Sequence, residues 1–362
     1  MVKALCDFLM CITRVIGKIK NLLFWALAYS FCGLCTCLIV LKLLWHIIRN
    51  PAESFQRTER EALPACLNAT SLGTHCYVRI KESGLRFHYV AAGERGKPLM
   101  LLLHGFPEFW FSWRYQLQEF KCEFRVIAVD LRGYGESDAP IGRENYQLDC
   151  LITDIKEIVD SLGYKKCVLV GHGWGGLLAW CFAIYYPEML NKVVILNCPH
   201  PAVLCDYLVR HPSQLMKSSY FFFCQVPWLP EFALTISDFK VLKYLFTSQS
   251  TGIRTKEYRM TADEMEAYLY IFSQPEAFSG PLSHFRNIFS LPLNQNEVVS
   301  PTLLLWGENE EFLEFRMAEL SKSYVRSCFR LTVVPETSHW LQQDHPELVN
   351  HLIWAFLKEV DQ

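Results

Sequence analysis

Five short stretches of this 362-residue sequence bring reactive or charged side chains to places where the chain turns: His104-Gly105-Phe106-Pro107, Asp130-Leu131-Arg132-Gly133, Gly307-Glu308-Asn309-Glu310, Ser338-His339-Trp340 and Gly171-His172-Gly173-Trp174-Gly175. Imidazoles and carboxylates are the side chains that transfer protons in catalysis, and a histidine backed by an acid can activate water. The glycine-rich stretch matters for a different reason. It follows the apolar run Cys167-Val168-Leu169-Val170 and passes into Leu177-Leu178-Ala179-Trp180-Cys181-Phe182-Ala183, which reads as a helix. Strand, sharp turn and helix in that order form a nucleophile elbow, G-x-Nuc-x-G, where small residues on either side let strand and helix nearly touch and the central side chain is presented. Here the centre is Gly173. A turn shaped to present a nucleophile presents a hydrogen atom, and no Ser, Cys, Asp or Glu adjoins it.

The elements that must position these stretches are legible from hydrophobic pattern. Tyr77 to Ile80, the turn Ser83-Gly84 and the alternating Leu85 to Val90 predict an antiparallel hairpin at a sheet edge. Leu99 to Leu103 and Val126 to Val129 are unbroken apolar runs, as expected of strands covered on both faces, and Lys192 to Leu196 reads as the next buried strand after the elbow helix. Leu148, Leu151, Ile152, Ile155, Ile158, Val159 and Leu162 recur at helical spacing just before the elbow strand. The alternation predicts a doubly wound, mostly parallel sheet. Ligands bind such sheets at the carboxyl ends of the strands, which is where His104, Asp130, Gly173, Glu310 and His339 fall. Strand signals stop after Asn197 and aromatic residues cluster, which predicts a helical cap over those strand ends with Pro199-His200-Pro201 as its hinge. Strands resume at Thr302 to Trp306 and Arg330 to Val334, and a last helix covers one face. The expected division is a basic segment 1–21, a membrane helix 22–45, a linker 46–76, a first core part 77–198, a cap 199–292 and a second core part 293–362.

This order of motifs resembles the epoxide hydrolase branch of the α/β-hydrolase family over roughly residues 75–360. The resemblance implies an α/β-hydrolase fold with an inserted cap, no cofactor or metal, and a pocket for an apolar, lipid-like epoxide. In that family an elbow aspartate attacks the epoxide carbon to form an ester, and two cap tyrosines hydrogen-bond the ring oxygen. A histidine backed by an acid then activates water to cleave the ester, with backbone amides holding the oxyanion. Carried onto this chain, His339 matches the base and Glu310 the acid, where the family usually has aspartate. Phe106 and Trp174 match the oxyanion amides, and Tyr220 matches one cap tyrosine. Phe285 stands where the second tyrosine is expected, and Phe285, Trp228 and Phe223 are expected to line the pocket.

The departures differ in weight. Glu310 keeps the carboxylate on a longer stem, and Phe285 loses one hydrogen-bond donor, worth about 3 kcal/mol for an oxyanion. Gly173 removes the nucleophile, a loss of about a millionfold in kcat where triad nucleophiles have been removed. The expectation is a retained pocket with severely impaired epoxide turnover. Two other functions fit the same residues: a non-catalytic lipid-binding or interaction protein, and a hydrolase of another substrate using water activated by His339 and Glu310.

Net charge is −2, which gives no basic field for nucleic acid. Hydrophobic residues make up 51% and aromatics 14%. Part of that excess is Leu22 to Leu41, an uncharged run long enough to cross about 30 Å of hydrocarbon. It predicts a single-pass anchor in a membrane, expected to be that of the endoplasmic reticulum. Basic residues flank it on both sides, so orientation stays open. Asn68-Ala69-Thr70 is a glycosylation acceptor pattern that matters only if the main domain is lumenal. Of 15 cysteines, Cys6, Cys11, Cys32, Cys35 and Cys37 lie in or beside the run, and Cys66 and Cys76 are placed to pair in an oxidising compartment. The others are scattered, forming neither a disulfide framework nor a metal site. His104 reads as a turn histidine bonded to backbone, and Asp130 to Gly133 as a tie between loops.

Overall fold

The computed structural model describes residues 26–27, 29–31, 33–290 and 297–359. The basic N-terminal segment, the first residues of the apolar run, Cys6, Cys11, Cys32 and the end of the expected cap lie outside the described residues. The strands are β1 (Thr74–Arg79), β2 (Arg86–Ala92), β3 (Leu99–Leu103), β4 (Arg125–Val129), β5 (Cys167–His172), β6 (Leu190–Leu196), β7 (Thr302–Gly307) and β8 (Phe329–Val334). They form one sheet in the order β1-β2-β4-β3-β5-β6-β7-β8. Only the β1–β2 and β2–β4 pairings are antiparallel; the other five are parallel. Every residue of β3 and β5 is buried, which is why both read as unbroken apolar runs rather than alternating ones.

The helices are α1 (Tyr29–Arg49), α2 (Pro51–Phe55), α3 (Arg114–Phe120), α4 (Leu148–Ser161), α5 (Gly173–Tyr185), α6 (Pro201–Arg210), α7 (Pro212–Lys217), α8 (Ser219–Phe223), α9 (Leu229–Thr247), α10 (Ala262–Ser273), α11 (Ser279–Arg286), α12 (Arg316–Ser321), α13 (Leu341–Asp344) and α14 (Pro346–Lys358). Helix α5 is apolar almost all round and buried along nearly its whole length, the condition of a helix at the centre of the molecule. Its approach to the sheet requires glycine. A Cβ on Gly171 would lie 2.3 Å from the Gly175 carbonyl oxygen, and one on Gly175 would lie 2.2 Å from that of Leu103.

From Pro201 to Ser290 the described chain is helix, turn and loop. Helix α9 is bent where Ser237, Asp238 and Phe239 take left-handed backbone angles, and Arg60 grips Asp238 there through two hydrogen bonds of 2.8 and 2.9 Å. Helix α1 lies against this region. Tyr29 packs edge-on against Phe222 at 6.2 Å, and His46 hydrogen-bonds Ser237 at 3.0 Å. Its opposite stripe, including Leu34, Leu38, Leu41, Trp45 and Ile48, is exposed. Cys66 and Cys76 are free thiols, so the disulfide considered from sequence is not formed.

Candidate active site

The elbow forms where the sequence places it: β5 ends at His172 and α5 begins at Gly173, whose φ is +52°. That left-handed conformation suits glycine and strains other residues. A Cβ built at this position would sit 3.4 Å from His339 Nε2 and 3.7 Å from the Gly105 Cα, ordinary van der Waals contact. The missing side chain would therefore point at the imidazole.

His339 follows β8 and is held by groups from several elements. Its Nδ1 is 2.5 Å from Glu310 Oε2. The other carboxylate oxygen of Glu310 accepts from the Phe312 and Leu313 amides at 2.7 and 3.3 Å. The His339 carbonyl accepts from His172 Nε2 at 2.8 Å and from Asn197 Nδ2 at 2.9 Å, and Asn197 Oδ1 in turn receives the Gly307 N–H at 2.8 Å. Behind His172 stands a fully buried carboxylate, Glu108, 2.6 Å from His172 Nδ1. The same Glu108 oxygen receives the Gly105 N–H at 2.8 Å, and the side-chain amides of Gln342 and Gln343 reach the other oxygen. Burial alone would raise the Glu108 pKa, but the charge and hydrogen bond of His172 with the Gly105 N–H hold it below the usual carboxylate value. One buried ion pair thus joins the turn carrying Phe106 to the loop carrying His339.

Trp174 is the second residue of α5, so its N–H lacks an intrahelical partner and faces outward from the helix start. Phe106, Trp174, Gly173, Tyr220, Phe223, Phe285 and His339 all border one cavity of about 350 Å³. The Phe285 ring packs against Phe106 at 5.1 Å, Trp174 at 5.2 Å and Tyr220 at 6.0 Å. Desolvation, with the Glu310 charge second, pushes the Tyr220 hydroxyl well above an ordinary phenol, so it stays protonated as a donor. Trp228 is a correction: it is 83% exposed and does not border the cavity. Its left-handed backbone (φ +58°), immediately before α9, turns the ring outward.

Sequence reasoning missed several lining residues. Cys198 and Cys224 border the cavity, as does Ile39 of α1. Burial pushes the Cys198 thiol well above its ordinary pKa and Cys224 up to about 12, so neither supplies a thiolate to stand in for the elbow nucleophile. The only hint for Cys198 was its place immediately beyond a buried strand. His104 bonds the Gly105 carbonyl and the Leu131 amide, a turn role. Asp130 ties together His88, the Trp110 amide and the Glu136 amide.

Residues 98–346 match the model of a family described as the alpha/beta hydrolase fold. The chain is 65% identical over 350 residues to "Epoxide hydrolase 4" of Homo sapiens, covering 96% of this chain and 97% of the relative. It is 45% identical over 356 residues to "Epoxide hydrolase 3" of Xenopus tropicalis, covering 98% and 97%. The protein belongs to the epoxide hydrolase family. The fold agrees with a solved member: an epoxide hydrolase from Bacillus megaterium in complex with an inhibitor superposes with a TM-score of 0.72 at 32% identity, covering 78% of this chain and all of that one. Among epoxide hydrolases, small apolar epoxides are the substrates to consider, and the cavity's nearly continuous aromatic and aliphatic wall is suited to them.

Proposed function

We propose that this chain is a membrane-anchored epoxide hydrolase relative that keeps a pocket for an apolar, lipid-like epoxide and has lost the covalent step that opens it. The observation that carries this reading is Gly173: the elbow aims its missing side chain at His339 Nε2, 3.4 Å from where a Cβ would stand, and leaves the base without an ester to hydrolyse. The change at Phe285 points the same way, since it leaves Tyr220 as the single cap phenol bordering the cavity among the described residues. In this reading His339 and Glu310 are the base and its acid, Phe106 and Trp174 give the oxyanion amides, and Phe285 and Phe223 bind the apolar part of the ligand. Helix α1 is 21 residues long and its most apolar 18-residue stretch has a mean hydropathy of 2.1, enough in length and composition to serve as the anchor.

The test is turnover of fatty-acid epoxides by the purified full-length chain beside Gly173→Asp and the double variant Gly173→Asp/Phe285→Tyr. The unaltered chain is expected to show no enzyme-like turnover and the variants to gain it. Rates typical of enzymes from the unaltered chain would overturn the proposal.

A second reading has one observation in its favour. The His339–Glu310 pair is complete, and its free nitrogen faces the space vacated at the elbow. Water activated there would attack an ester directly. Hydrolysis of apolar esters that disappears in His339→Ala would support this reading over the first.

A further inference from the structure

At the antiparallel edge of the sheet, far along the chain from the elbow residues, two histidines face each other. His88 Nδ1 is 2.8 Å from Asp130 Oδ2, His75 Nε2 is 2.8 Å from the Leu67 carbonyl, and His75 Nδ1 is 2.9 Å from His88 Nε2. The ring centroids are 5.1 Å apart with planes 25° from parallel. That separation exceeds the N–N distance by about two ring radii, so the rings meet edge to edge, each nitrogen pointing at the other along the line between centroids.

Counting protons decides the charge of this chain of contacts. A carbonyl and a carboxylate close its two ends, and both only accept. Three hydrogen bonds therefore need three protons, while two neutral imidazoles own two. With only two, either a pair of imidazole lone pairs or an imidazole nitrogen and a terminal oxygen would oppose each other at hydrogen-bonding distance. We infer that His75 and His88 are a proton-binding site, holding one shared proton as a single imidazole–imidazolium cation that latches the segment following the apolar helix onto the sheet. The segment is the turn Ala65–Asn68, whose Leu67 carbonyl is the outer partner.

The surroundings suit a cation. From β1 come His75 and Tyr77, with Tyr77 bonded to Glu136; from β2 come His88 and Arg86; from the end of β4 comes Asp130. The Trp110 ring closes one side, edge-on to His75 at 5.2 Å. Burial works against charge on His88, but the hydrogen bond and charge of Asp130, with Glu136 behind it, outweigh burial and Arg86 and hold its pKa above the ordinary histidine value. A carboxylate oxygen of Glu136, a ring nitrogen of His75 and one of His88 all lie within 4.8 Å of one another, so these three residues also have the composition of a metal site. The geometry favours the proton. A tetrahedral ion at about 2.05 Å from each nitrogen needs converging lone pairs with nitrogens about 3.3 Å apart, whereas these are in line and closer.

The sign follows from linkage. A histidine whose pKa is raised by folding, as that of His88 is, stabilises the fold fully below pH 6.5, the unfolded value, and loses that contribution as pH rises through the folded value, tenfold per unit of elevation. The experiment is nitrogen-15 NMR of the full chain, histidine-labelled and in detergent micelles, across a pH series. Its signals are assigned with His75→Gln and His88→Gln, and hydrogen exchange at residues 65–68 is followed in parallel. The expected result is a joint titration above 6.5, absent in either variant. Protection of residues 65–68 should fall at least tenfold through that titration in the unaltered chain and be low at every pH in His75→Gln. Titration at or below the ordinary value overturns the inference, as does unchanged protection in His75→Gln. Signals that move on adding a chelator overturn it in favour of a bound metal. His75→Gln replaces a residue on the outer strand, so the test stands even if His88→Gln does not fold.

Discussion

Glu310 stands 2.5 Å from His339 Nδ1 through one carboxylate oxygen while its other oxygen accepts two backbone amides. The longer glutamate stem is therefore anchored at its far end, and the imidazole it orients directs Nε2 toward the elbow. This leads to a prediction in the Gly173→Asp background. There, Glu310→Gln is expected to lower steady-state kcat by about 10⁴-fold, as when the acid behind a catalytic histidine becomes an amide. Intact-protein mass spectrometry should then show the ester intermediate accumulating, because its hydrolysis depends on the base. An unchanged rate would mean that Glu310 is not the partner of His339 in catalysis.

Gly173→Asp should gain activity and lose stability together. The Cβ meets only ordinary contacts, so the cost is conformational: a non-glycine residue at φ +52° is expected to destabilise by about 1 kcal/mol. Denaturant midpoints compared with epoxide turnover check both halves. A variant that is more stable and more active would contradict the strain argument.

Phe285→Tyr, added to Gly173→Asp, restores a donor beside Tyr220 at a ring already bordering the cavity. The expected gain in kcat is about 10²- to 10³-fold over Gly173→Asp alone, the usual weight of one oxyanion donor. In the unaltered chain the same change should leave turnover absent, since no nucleophile precedes it.

The buried pair Glu108–His172 should be costly to break. Glu108→Ala leaves a fully buried imidazole without its carboxylate and frees the Gly105 N–H, and about 3–5 kcal/mol of stability is expected to be lost by chemical denaturation. A loss below 1 kcal/mol would show that the pair contributes little to joining the two loops.

Acid should weaken the fold through His284. Burial, the largest influence, pulls its pKa down to about 3, so the native state keeps this ring neutral while the unfolded chain protonates near 6.5. The unfolded state binds more protons between those values. Stability attributable to His284 is thus complete above pH 6.5 and falls by about 1.4 kcal/mol per pH unit toward pH 3. His284→Asn should flatten this part of the stability profile measured by denaturation at several pH values.

The elbow, the succession of strands and helices along the chain and the approach of Gly171 to Gly175 were legible because each depends on local pattern: apolar runs, glycines at fixed spacing, and a helix with no polar face. The loops bearing Glu310 and His339 were legible as strand ends, since a parallel sheet brings such ends to one edge. What escaped depends on how distant segments meet. Trp228 looked like one more cap aromatic, and only the backbone turn before α9 shows that its ring leaves the cavity. Cys198, Cys224 and Ile39 come to the same wall from a strand end, the end of a short cap helix and the apolar N-terminal helix, a convergence that no periodicity encodes. His75 and His88 lie 13 residues apart, and hairpin register together with the Asp130 side chain, rather than any motif, brings them face to face.

Ile39 belongs to α1 and also borders the cavity beside the elbow. The segment that would fasten this protein to a bilayer is therefore part of the chamber it fastens. A fragment beginning after Arg49 would lack Ile39, and any affinity measured on it would describe a chamber breached on one side.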